Sequence, residues 1–142
     1  MIADENLDHK RAKYAYGCIE EIKDKGGNIE KKYHSAVHSS SILVQESGLL
    51  QTLSFYISKI NKKGDGGKND FDEDSSHYKL LAKHILNWIV EDCNDKSKNS
   101  LLKSYHCLLN YTDESIIYKT QESKALMVWL NRFADAMLKS ED

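Results

Sequence analysis

The chain has 142 residues, of which 40% are hydrophobic and 30% charged, with a formal net charge of −2 and no proline. Those proportions describe a soluble globular protein of one domain, residues 1–142, long enough to bury a core. No apolar run approaches the ~18 residues of a membrane span, and the opening MIADENLDHK lacks the apolar stretch of a secretion signal, so a cytoplasmic location is expected.

With no proline to remove an N–H, only glycines and capping residues can punctuate the chain. Leu7, Ala12, Ala15, Tyr16, Ile19 and Ile22 recur at helical spacing behind a cap at Asp4 or Asn6, and Gly26-Gly27 ends this first helix. Ile29, Tyr33 and Val37 continue the pattern into Ile42, Leu43 and Val44. Between them Ser39-Ser40-Ser41 predicts a break or bend, because serine side chains compete for backbone hydrogen bonds. Gly48 reads as another helix end, and Leu49 to about Ile60 as a central buried helix.

Residues 61–76, NKKGDGGKNDFDEDSS, form a Gly/Asp-rich segment expected to be a mobile loop. Its five acids and three lysines hold the whole net charge, which leaves the remainder neutral on balance. Beyond it, Ser75 or Ser76 caps a helix whose face is Tyr78, Leu81, Ile85, Trp88 and Ile89. Asp95 or Ser97 opens a shorter one carrying Leu101, Leu102, Tyr105, Leu108 and Leu109. A long closing helix, Asp113 to Lys139, is capped by Thr112 or Asp113. Its stripe is Leu126, Trp129, Leu130, Phe133 and Met137, with Arg132 at the edge. No segment alternates as a strand does. The expected fold is all-α, a bundle of five to six helices with one long C-terminal helix.

Residue chemistry argues against an active site. His34 and His38, four apart, could reach one metal ion, but Ser35 replaces the glutamate of H-E-x-x-H and no third ligand stands nearby in sequence; no metal site is expected. Asp70, Asp72 and Asp74 imitate a calcium loop, yet Ser75 and Leu81 occupy its Gly and Glu positions. Gly64, Gly66, Gly67 and Lys68 lack the remaining residues of a phosphate-binding loop. Neither Arg11 nor Arg132, the two arginines, has a histidine within the next seven residues, and no Ser-His-Asp or Cys-His pairing is suggested. Cys18, Cys93 and Cys107 form no C-x-x-C and are expected to be small buried hydrophobes. Taken alone, these residues favour a binding module without catalytic residues or cofactor.

Three stretches carry a family resemblance. Lys10-Arg11-Ala12-Lys13-Tyr14-Ala15-Tyr16, followed by Ile19, resembles the opening R-A-x-x-A-Y of the small subunit of the Cmr complex, the type III-B CRISPR RNA-silencing assembly. Lys32-Tyr33 with Ile42 through Phe55 is similar to a second family segment. Glu122 through Met137 fits the closing W-L-x-R-F-A pattern at Trp129-Leu130 and Arg132-Phe133-Ala134. Tyr78 through Trp88 resembles the family's middle helix after a variable loop. Ser39-Ser40-Ser41 departs from the pattern, standing where many relatives have a proline.

The resemblance implies a non-catalytic helical subunit of antiviral defence. It would stack in the inner filament beside the backbone-filament subunit, the large subunit and neighbouring small subunits. Its lysines and arginines would contact the backbones of guide RNA and target RNA. On that basis Arg11 and Arg132 are the expected RNA-contacting residues, joined by Lys13, Lys119 and Lys124 from helical geometry. Lys124 and Arg132 lie about 80° apart around the helix and can border one groove.

Overall fold

A computed structural model describes residues 6–60, 76–91 and 100–140, and in it the chain is all-helical. Six helices run in order: α1 Leu7–Lys25, α2 Gly27–Ser47, α3 Leu49–Ile60, α4 Ser76–Ile89, α5 Ser100–Leu109 and α6 Asp113–Met137. The Gly/Asp-rich loop, the mimics of calcium and phosphate loops within it, and the proposed starts at Asp95 or Ser97 lie outside the described residues.

Glycines make the first two turns, Gly26-Gly27 after α1 and Gly48 after α2. Gly26 closes α1 by donating its N–H to the Ile22 carbonyl, and its own carbonyl accepts from Glu30 to start α2. Gly48 repeats the device: its N–H donates to Val44, and its carbonyl accepts from the Thr52 N–H and from Thr52 Oγ1 at 2.8 Å. The φ angles of 63° at Gly26, 61° at Gly27 and 87° at Gly48 fall where a Cβ is strained, so glycine lets one helix follow another within one or two residues. Asn6 caps α1 by accepting from the His9 N–H, and Thr112 caps α6 by accepting from Ser115.

The expected break at Ser39-Ser40-Ser41 does not occur; α2 is continuous from Gly27 to Ser47. Ser39 Oγ donates to the Ser35 carbonyl and Ser40 Oγ to Val37, so these hydroxyls are satisfied by the helix they were expected to interrupt. Ser40 is also fully buried, and packing against the core favours the straight helix.

Helix α6 packs chiefly on α1 and α2, while α4 touches α2, α3, α5 and α6. The core between them contains Ala15, Ile19, Ile22, Tyr33, Val37, Leu53, Leu81, Ile85, Leu126 and Leu130. On α6 the deepest positions are Leu126, Met127, Leu130 and Ala134; Trp129, Phe133 and Met137 of the expected stripe are half-buried against that core. Tyr16 and Leu7 of the α1 stripe are exposed. Cys18 is a buried free thiol, which burial pushes up to about 12, whereas Cys107 departs from expectation, being half-buried and disulfide-bonded.

Two glycine substitutions should move stability in opposite directions. Gly48→Ala, at φ 87°, should cost about 1 kcal/mol and lower Tm by roughly 3–5 °C. Gly17→Ala, in the exposed middle of α1 with nothing within 4 Å of an added Cβ, should raise stability by up to about 1 kcal/mol. Thermal unfolding followed by circular dichroism checks both.

Candidate functional site at the edge of α1 and α6

Helix α6 brings a line of polar residues to its contact with α1 and α4, and one of these is buried and charged. Glu122, 9% exposed, faces Arg11. Arg11 Nε donates to Glu122 Oε2 at 2.6 Å and its Nη2 to Oε1 at 2.7 Å, a two-pronged pair that only a planar guanidinium makes. Trp88 of α4 adds a third donor, Nε1 to Glu122 Oε2 at 2.8 Å. Arg11 also reaches Asp8 Oδ1 at 3.1 Å, and that oxygen accepts from Trp129 Nε1 at 3.0 Å. Arg11 holds the Glu122 carboxyl below its ordinary range, against the upward push of burial, and Trp88 adds to the effect. Glu122 in turn raises the Arg11 guanidinium above its ordinary value.

The five cations expected to contact RNA therefore divide. Arg11 has a side chain only 17% exposed and is committed to its carboxylates. Lys119 is 14% exposed, 3.9 Å from Glu91, with its ammonium over the rings of Tyr111 and Tyr118. Lys13 is exposed on α1. Arg132 is exposed and Lys124 half-exposed on the outward side of α6, about 12 Å apart along the axis. Between and beside them stand Ile117, Tyr118 and Val128, exposed by 65%, 59% and 50%. The outward side of α6 is thus an apolar strip with cations on its borders, a composition that fits contact with other macromolecules.

Two histidine clusters emerge, one not legible in the sequence and one legible there only as the pair His34 and His38. His84 of α4 is buried; its Nε2 lies 3.0 Å from Glu21 Oε1 and its Nδ1 2.7 Å from the Tyr33 hydroxyl. A carboxylate only accepts, so Nε2 carries the proton and Tyr33 donates to Nδ1. Burial lowers the His84 pKa, which favours this neutral ring, with Glu21 opposing. The trio imitates a catalytic relay, but Tyr33 is wholly enclosed and Tyr14 closes the group by donating to the His84 carbonyl at 2.6 Å. It ties α1, α2 and α4 together. His34 and His38 form the second cluster, meeting Asp135 of α6.

The same chain regions match a known family. A model of the family described as CRISPR-associated protein (Cas_Cmr5) matches residues 7–137. The chain belongs to the Cmr5 family. That family is the small subunit of the type III-B Cmr complex, in agreement with the resemblance of the three stretches. Among solved structures, the chain is similar to the crystal structure of a CRISPR-associated Cmr5 family protein from Thermus thermophilus. The identity is 18% and the TM-score 0.67, over 96% of this chain and all of that one. At that identity the likeness speaks for the fold, and it extends over the whole Cmr5 bundle.

The Arg11–Glu122 pair makes a pH-dependent contribution. A folded-state carboxyl pKa below the ordinary 4.5 means that the contribution is complete above about pH 4.5 and disappears as the pH falls through the folded-state value. Glu122→Gln should therefore cost about 2 kcal/mol at pH 7, and the gap from wild type should close as the medium is acidified. Denaturant unfolding over a pH series reads this; a gap independent of pH would assign the loss to packing.

Proposed function

We propose that this Cmr5-family chain is a non-catalytic small subunit that stacks in the inner filament of a type III-B CRISPR effector and contacts the backbones of guide and target RNA. The observation that carries this reading is the outward side of α6, within the region matched by the family model. There Arg132 is exposed with no ion pair among the described residues, and Lys124 stands two turns away. The apolar strip of Ile117, Tyr118 and Val128 meets neighbouring subunits, and the flanking cations meet phosphate. Such contacts read charge rather than bases, so binding is independent of sequence and weakens with salt.

Within this reading Arg132, Lys124 and Lys13 touch RNA, while Arg11 and Lys119 act first by fixing the helices that present them. Lys124→Glu with Arg132→Glu should weaken capture of target RNA by the reconstituted complex and lower the steepness of its salt dependence by about one per lost contact. Helical content should be unchanged, because both side chains face outward. Arg11→Glu is a different experiment: it sets a second carboxylate against Glu122 and should destabilise the bundle itself.

A second reading, a helical adaptor that binds protein alone, is favoured by the exposed apolar strip and by the slightly acidic net charge. The same double variant separates the two. RNA capture that stays unchanged across a salt titration, with crosslinks confined to other subunits, supports the adaptor.

A further inference from the structure

The third ligand that the sequence around His34 and His38 lacks is supplied by α6, about a hundred residues later. His34 Nε2 lies 3.0 Å from Asp135 Oδ1, and His38 Nε2 lies 2.6 Å from the same oxygen. One nitrogen from each ring and one carboxylate oxygen fall within 4.8 Å of one another. The imidazole rings sit side by side, centroids 5.3 Å apart, because residues four apart share a helix face.

His34 has a partner at each ring nitrogen. Its Nδ1 is 3.1 Å from the Lys139 carbonyl, an oxygen that only accepts, so Nδ1 carries hydrogen. A neutral ring protonated there turns the lone pair of Nε2 toward Asp135, another acceptor. In that form two lone pairs face each other across 3.0 Å, a contact satisfied either by a proton on Nε2, which makes the ring an imidazolium, or by a metal ion. An imidazole whose outer N–H is held by a backbone carbonyl while its inner nitrogen points at a carboxylate and a second imidazole is the arrangement of a metal-ligating histidine.

We propose that His34, His38 and Asp135 form a site for a divalent transition ion of the zinc type, joining α2 to the end of α6. Two imidazoles and one carboxylate suit such an ion better than calcium or magnesium, which take mainly oxygen. Tetrahedral zinc with bond lengths of about 2.0–2.2 Å holds its donors roughly 3.4 Å apart, so Asp135 Oδ1, now 3.0 Å from His34 Nε2 and 2.6 Å from His38 Nε2, must draw back from both rings, a shift open to the exposed Asp135 and His38 side chains. Access is open, since the His38 and Asp135 side chains are 52% and 58% exposed, and solvent completes a four-coordinate shell from that side. His34, 10% exposed, is braced by the same segment that Glu30 holds, where Glu30 Oε2 accepts the Lys139 N–H at 2.7 Å. Glu30, His34 and His38 form a ladder at four-residue spacing along α2, and the end of α6 docks on it. An ion there clamps that docking.

The full-length chain, stripped of metal, is titrated with Co2+ in the visible spectrum and with Zn2+ by calorimetry. One equivalent should bind, with the ligand-field bands of a nitrogen- and oxygen-ligated ion and without the near-ultraviolet thiolate band that cysteine ligation gives. Zn2+ should raise Tm, since it binds the folded chain. His38→Gln and Asp135→Asn alter exposed groups and should keep the helical content of the wild type while weakening binding by roughly tenfold or more. A thiolate band, absence of saturable binding, or affinity unchanged in both variants overturns the proposal.

Discussion

One buried ion pair joins parts of this chain that are farthest apart in sequence. Arg11 stands in the first helix, Glu122 in the last and Trp88 in the fourth, and all three meet at a single carboxylate. A carboxylate buried to that degree would be costly alone, and it is tolerated because three N–H groups converge on it. Apolar contacts between α1 and α6 supply most of the attraction but little direction. The two-pronged pair adds direction, because sliding either helix breaks it. In doing so it fixes which side of α6 faces outward, and with it the positions of Lys124 and Arg132.

The same logic recurs at two further junctions. His84 uses both ring nitrogens and its carbonyl to bind Glu21, Tyr33 and Tyr14, tying α4 to α1 and α2. Glu30 and His34 hold the chain just past α6, Glu30 accepting the Lys139 N–H and the His34 ring bonding the Lys139 carbonyl. Charged and polar residues in this Cmr5-family bundle therefore work in two populations. Those turned inward specify how helices dock. Those turned outward on α6 flank an apolar strip and are available to partners. Sequence treats an arginine of either population alike, which is why Arg11 and Arg132 looked equivalent until their surroundings were known.

The helices and their order were legible in the sequence because they depend on local physics. Apolar spacing of three and four, Gly26 and Gly48 where the chain reverses, and Asn6 and Thr112 as caps each act within one helical turn. Family membership was legible for a related reason: its motifs are short strings along α1 and α6. The serine run misled because a serine hydroxyl can be satisfied inside a helix as well as outside it, and burial of Ser40 decides between them.

What only the tertiary structure decided was which residues meet. Asp135 became a neighbour of His34 and His38, and Glu122 a partner of Arg11, through the docking of α6, with separations of about a hundred residues. No periodicity reports such a contact, because loop closure over that length leaves no local trace. The sequence determined that a long amphipathic helix closes the chain and carries Arg132 near its apolar edge. Packing determined that Arg132 faces outward while Arg11 is spent on Glu122, since a charge near a helix–helix contact is captured only when an opposite charge comes within reach.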